Sequence, residues 1–224
     1  MDKPDTSHPF CLDQTIWFPA PESADAQGLV AAGGDLSAER LLAAYRLGIF
    51  PWTAKPITWW SPDPRGILEL DRLHISHSLA KTLRRCPFAI TFDRAFREVM
   101  LACAAPAPDR ESTWITKPFV AAYTGLHGLG HAHSVECWSE GQLVGGIYGV
   151  VVGGLFAGES MFHRADNASK VALYHLVQRL QTQQFALFDV QMVTPATRGL
   201  GAIEISRREY LARLAVAVTK SCEF

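Results

Sequence analysis

Three places in the sequence set hydrogen-bonding side chains into apolar surroundings, where their chemistry would be sharpened. The first is FALFDVQMV, residues 185–193. Read as a strand over Ala186–Val193, its period-two alternation sends Phe188, Val190 and Met192 to one face and Asp189 and Gln191 together to the other. A carboxylate beside an amide can orient a reacting group; on a sheet face open to water the same alternation carries no chemistry. The second is Glu159, alone inside the apolar run Leu155–Phe162. A carboxylate there is solvated in a cavity, paired or protonated, so it marks either a strand end reaching water or the lip of an apolar pocket. The third is a set of tryptophans, Trp17, Trp52, Trp59, Trp60 and Trp114, most of them in stretches that read as loops. Tryptophan commonly pins a loop to the core; it also makes a stacking platform for unpaired bases. Lys81, Arg84 and Arg85, at i, i+3, i+4 spacing, form a basic cluster that is either a solvated helix face or a phosphate contact.

Other patterns exclude chemistry. His127, His131 and His133 crowd together in HGLGHAH, but Gly130 breaks the helix between the first two. No Glu or Cys completes a metal-ligand pattern, so no metal is expected. No nucleophile elbow, phosphate loop or dinucleotide fingerprint occurs. Five scattered cysteines without a C-x-x-C read as thiols in a reducing cytoplasm. The N-terminal MDKPDTSHPF has no signal-peptide pattern, and the longest apolar run, near 143–157, is too short and glycine-rich to span a membrane. The 224 residues, 48% hydrophobic and 19% charged, describe a globular chain. A net charge of −1 gives no global pull toward nucleic acid, so an RNA surface would have to be a local patch.

The elements that must position these residues follow from periodicity and punctuation. Residues 1–34 read as extended, and Ser37 caps a helix over Ala38–Leu47 stopped by Gly48. The segment IFPWTAKPITWWSPDPRG carries four prolines and reads as irregular. A strand Ile67–Leu70, a helix from Ser76 or Ser78 to Arg85, a strand Phe88–Phe92 and a helix Arg94–Cys103 follow. After a soft composition boundary near residue 110 come helix Lys117–Leu129 and strand His133–Ser139. The strands Val144–Val152 and Leu155–Phe162 are joined at Gly153-Gly154, a hairpin signal. Six glycines between Gly145 and Gly158 are expected to leave room for a ligand. Asn167 should cap a helix Ala168–Gln183, and Arg207–Val218 should form the last helix. This order predicts an α/β (α+β) fold, a mixed sheet with flanking helices, of the kind found in GNAT acyltransferases. The helix start MFHRADNASK lacks the glycine turn on which such enzymes bind pyrophosphate, so no acyl-CoA cofactor is expected.

Across most of its length the chain resembles the leucyl/phenylalanyl-tRNA–protein transferases. The matching pieces are GGDLSAERLLAAYRLGIFPW, ITWWSPDPRGIL, LHIS, STWITKPFVAAY, LGHAHSVECW, LVGGIYGVVVGGLFAGESMF, NASKVAL and FDVQ. The resemblance implies a small N-terminal domain over 1–110 and a GNAT-like domain over 111–224. It implies transfer from Leu-tRNA or Phe-tRNA to proteins with N-terminal Arg or Lys, in the cytoplasm and without a cofactor. Trp52 and Trp114, with Tyr45 nearby, match the positions that hold the 3′ adenosine. Ile147, Phe156 and Glu159 match the amino-acid pocket, Asp189 and Gln191 the catalytic pair, and Lys81, Arg84 and Arg85 the tRNA-binding cluster. The family position at Ile147 is often Met. Where the family often has a His and a Ser after Gln191, this chain has Ala196 and Gly199, in TPATRGLGA. A GNAT-type N-acetyltransferase and a non-enzymatic tRNA-binding module are the alternatives.

Overall fold

The structure is a computed structural model and describes residues 10–106 and 113–224. Two sheets share one core. In the smaller, β1 (Phe10–Leu12), β2 (Leu29–Gly33), β3 (Phe50–Ala54) and β4 (Ile57–Trp60) are ordered β1-β2-β4-β3. Helix α1 (Ala38–Arg46) crosses between β2 and β3, begun by Ser37, whose hydroxyl accepts from the Arg40 N–H. The proline-rich segment is therefore a hairpin, not irregular chain. Pro51 is tolerated because β3 is an edge strand and its pairing slips between Pro51 and Thr53.

The larger sheet has seven strands in the order β11-β5-β10-β9-β8-β7-β6. In chain order its elements are β5 (Arg65–Leu68), α2 (His77–Arg85), β6 (Ala89–Phe92), α3 (Phe96–Ala104), α4 (Lys117–Gly128), β7 (Ala132–Ser139), β8 (Gln142–Val152), β9 (Leu155–His163), α5 (Ala168–Thr182), β10 (Leu187–Gln191), α6 (Pro195–Arg198), β11 (Ile203–Ile205) and α7 (Arg207–Ala217). The mixed α/β class is as expected; β11 and α6 were not foreseen. The boundary expected near residue 110 lies outside the described residues, and strands from both sides of it join this one sheet. Among the described residues no helix is long and apolar enough to cross a membrane.

The two faces of the sheet are covered differently. Helices α1, α3, α4 and α7 pack on one face, together with the small sheet, around Trp59, Phe96, Phe119, Tyr148 and Tyr210. Helix α5, with α2 outside it, covers the other around Phe156, Leu173, Leu176 and Phe188. Asn167 does not cap α5. It has left-handed backbone (φ 64°), and its amide donates instead to Ser78 Oγ and Thr82 Oγ1, fastening α2 to the start of α5.

Candidate active site

A cleft opens where two parallel strands part. β9 and β10 pair through Leu187↔Leu155, Phe188↔Phe156 and Asp189↔Ala157 and no further. Two irregularities accompany the parting. Against β8, β9 slips so that Ser160 and Gly158 are paired and Glu159 is the extra residue. Against β5, β10 slips between Asp189 and Gln191, and Gln191 takes a φ of 62°. Bulges of this kind re-aim side chains beside functional sites, and crevices beyond the carboxyl ends of parallel strands are where open α/β sheets bind ligands.

The expected Asp189–Gln191 pair is joined, but through the backbone. Asp189 Oδ1 accepts from the Gln191 N–H at 2.8 Å. The rest of the carboxylate is gripped from behind: Arg65 donates from Nε at 3.0 Å and Nη2 at 2.6 Å, and the Tyr210 hydroxyl at 2.8 Å. Asp189 and Arg65 are both fully buried. Arg65 also donates to the Gly48 carbonyl and lies between the Phe50 and Tyr210 rings. Burial alone would lower the Arg65 pKa, but the Asp189 charge more than offsets this and the net shift is upward. Asp189 borders neither of the site cavities.

Among the described residues Glu159 pairs with no cation. Its Oε1 accepts from the Tyr45 hydroxyl at 2.8 Å and from Gln191 Nε2 at 2.8 Å, and its Oε2 from the Tyr123 hydroxyl at 3.4 Å. The Tyr45 and Tyr123 hydroxyls also lie 2.5 Å apart, and their two protons are shared among these three contacts. Burial pushes the Glu159 pKa up, Tyr45 pulls it back, repulsion from Asp189 adds to the rise, and the result is about 7. Burial, with Glu159 beside them, also raises the Tyr45 and Tyr123 phenols well above their usual range, so both hydroxyls keep their protons as donors.

Glu159, Val190, Met192 and Thr194 border two cavities that meet there. One, of about 220 Å³, is walled by Phe50, Trp52 and Trp114 and includes Gln191. The other, of about 510 Å³, is lined by Ile147, Gly158, Met161, Leu173 and Phe188, and closed by Thr194–Thr197. An aromatic slot and an apolar pocket thus share one wall, and that wall carries the Glu159–Gln191 bond.

Comparison with known proteins gives the family. Residues 67–215 match the family model described as leucyl/phenylalanyl-tRNA protein transferase, and residues 34–63 match the model of its N-terminal domain. The curated leucyl/phenylalanyl-tRNA–protein transferase of Syntrophobacter fumaroxidans is 54% identical over 92% of this chain and 89% of its own. That of Aeromonas hydrophila is 50% identical over 91% and 88%. The chain belongs to the leucyl/phenylalanyl-tRNA–protein transferase family. Among solved structures, the C-terminal domain of a putative lysylphosphatidylglycerol synthetase from Agrobacterium fabrum is 12% identical, with a TM-score of 0.42 over 86% of this chain and 65% of that one.

Against the positions that the family resemblance implied, Trp52, Trp114, Ile147, Glu159 and Gln191 all border the cavities. Two do not. Tyr45 is buried behind the site, its hydroxyl spent on Glu159 and Tyr123, so it cannot stack on an adenosine here. Phe156 is buried one layer back, edge-on to Phe188, and Phe188 is the ring that lines the pocket. The hairpin glycines also differ from expectation. A Cβ on Gly145 would strike Ala168, one on Gly149 the Phe156 ring, and one on Gly153 the Val218 backbone. These glycines admit neighbouring chain, and of the six only Gly158 borders the cavity.

Trp59 is a core pin, its indole N–H donating to the Gly33 carbonyl. His127 stacks on Phe96, and His133 bonds Asp93. Among the described residues no group of three or more His, Cys, Asp or Glu could hold a metal ion. Lys81, Arg84 and Arg85 are exposed on α2. Ala196 lines the apolar pocket on α6, where Thr194 and Thr197 form a capping box. Sequence reasoning missed Arg65, Tyr123 and Tyr210, because a buried pairing between distant segments leaves no local pattern.

Proposed function

We propose that this protein moves leucine or phenylalanine from its charged tRNA to the N-terminal α-amine of proteins beginning with Arg or Lys, marking them for degradation. The observation that carries the proposal is the Gln191–Glu159 hydrogen bond on the wall shared by an aromatic slot and an apolar pocket. The terminal adenosine occupies the slot against Trp52 and Trp114. The donor side chain fills the pocket bounded by Ile147 and Phe188, whose apolar lining suits Leu or Phe. The aminoacyl ester then lies across the shared wall.

The ester is already activated, so the main task is to bring amine and carbonyl together, and orientation alone can supply about 7 kcal/mol or more. The amine nitrogen attacks the carbonyl carbon, the bond from that carbon to the ribose oxygen breaks, and the free tRNA hydroxyl leaves. The nitrogen must be neutral to attack and must shed a proton afterwards. An α-ammonium has a pKa of about 8, and Glu159, at about 7, is nearly matched to it, the condition under which a carboxylate exchanges protons efficiently near neutrality. Gln191 donates to Glu159, which leaves its carbonyl oxygen to accept from the amine. An amide oxygen is too weakly basic to take the proton itself.

Asp189 acts at one remove. By holding the Gln191 N–H it supports the left-handed backbone from which the amide reaches Glu159. Arg65 neutralises Asp189, so its charge is not directed at the nitrogen. Incubation with radiolabelled Phe-tRNA and an Arg-starting protein tests the proposal. Label in the protein fraction, lost when the acceptor begins with Met, is expected; tRNA binding without label would leave only a binding module.

A further inference from the structure

The aromatic slot does not end at the active site. Trp52 and Trp114 also border a third cavity, of about 860 Å³, formed by the β3–β4 turn and the start of α4. It leads from the tryptophans away from Gln191 and Glu159, neither of which borders it. Among the described residues its lining has no carboxylate and includes Lys55 and Lys117, both exposed, together with Thr53 and Thr116. Among the described residues neither lysine enters an ion pair. Arg213, by contrast, is held between Glu69 and Glu209. Thr116 also leaves the first turn of α4 without a side-chain cap, so the backbone there adds to the positive potential.

We infer that this groove is a second RNA subsite, in which Lys55 and Lys117 bind the phosphates joining the terminal adenosine to the nucleotides before it. The inference rests on the transferase reading and deepens it. A chain whose last base stacks at Trp52 and Trp114, with its ester toward Gln191, must leave the slot on the opposite side. Single-stranded RNA is held by the same two elements found here, aromatic faces and a cationic track along the backbone. On a chain of net charge −1, attraction for RNA has to come from such local tracks.

The test compares two donors with the full-length protein: Phe-tRNA, and phenylalanine esterified to adenosine alone, which has no phosphate. In the double variant Lys55→Ala/Lys117→Ala, kcat/KM for Phe-tRNA is expected to fall roughly tenfold at about 0.1 M salt, mainly through KM. The slope of log(kcat/KM) against log[salt] should flatten by about 1.4, two single-strand phosphate contacts at about 0.7 each. The phosphate-free donor should react as with the unmodified protein, and Lys55→Arg/Lys117→Arg should restore the tRNA value. Equal losses for both donors, or no loss for either, would overturn the subsite. Failure of the unmodified protein with both donors would instead remove the transferase reading.

Discussion

Asp189 and Glu159 stand on neighbouring strands where these part, both buried, and their surroundings treat them in opposite ways. Asp189 has Arg65 in a two-pronged grip and Tyr210 on a free lone pair. Glu159 has two tyrosine hydroxyls and an amide, and among the described residues no cation pairs with it. A charged partner makes a buried carboxylate part of the framework. Neutral donors alone leave it near the point of gaining a proton, here at about 7. Two groups of one chemical kind are thereby separated into a support and a reagent, which is how paired carboxylates come to divide labour in active sites.

The sharpest way to break this contrast is to remove the cation. Arg65→Ala leaves Asp189 buried and unpaired and should cost about 3–5 kcal/mol of stability in urea denaturation. Arg65→Leu with Asp189→Leu should recover most of that stability without restoring transfer, because the Gln191 N–H loses its anchor. Full activity in the double variant would refute the supporting role.

Glu159 makes a different prediction, in pH. Below about pH 4.5 the folded and unfolded chains both carry the proton. Between about 4.5 and 7 the unfolded chain loses it first, so stability falls by roughly 3 kcal/mol and is level above that window. Glu159→Gln should flatten this stretch of the stability profile, read by thermal melting at several pH values.

Activity gives the next test. Gln191→Ala should lower kcat for transfer by roughly a hundredfold with little change in melting temperature, the size expected for losing one preorganised hydrogen-bonding group. The smallest effect is that of Tyr45→Phe, which removes one bond to the carboxylate. It should cost about 1 kcal/mol and raise the pH midpoint of the activity profile. An unchanged midpoint would mean that Glu159 does not set it.

Much of this arrangement could be read in the sequence, for physical reasons that differ by residue. Local rules sufficed for the Ser37 cap, the Gly153-Gly154 turn and the strand carrying Asp189, because caps, turns and alternation are properties of neighbours along the chain. Glu159 stood out because an acid in an apolar strand contradicts its surroundings. What could not be read depends on contacts across the fold. Arg65 lies 124 residues from Asp189, in a segment whose prolines suggested no strand at all. Edge position and a register slip let β3 accept Pro51, and neither is visible before the sheet is assembled. The bulge at Gln191 likewise follows from how β5 and β10 pair, so alternation named the right residues but not the bond that joins them. Phe156 and Phe188 are both phenylalanines in strands, and only packing decides which one faces the pocket.

The parting of β9 and β10 has a mechanical side. The seven-stranded sheet is joined across its middle by three registered residue pairs, while β8 meets both its neighbours along most of its length. A sheet bends where its rungs are few; β5 and β10 are also joined by three pairs, and the β9–β10 seam is the hinge between the half that carries Asp189 and the half that carries Glu159. The last rung contains Asp189, which Arg65 ties to β5 on its own side of the hinge. Small rotations about it change the span between Gln191 and Glu159 before anything else in the sheet has to move. Amide hydrogens on β9 beyond Ala157 that face β10 have lost their ladder partners, and they should exchange with solvent sooner than those of β8, although they lie at the centre of the molecule.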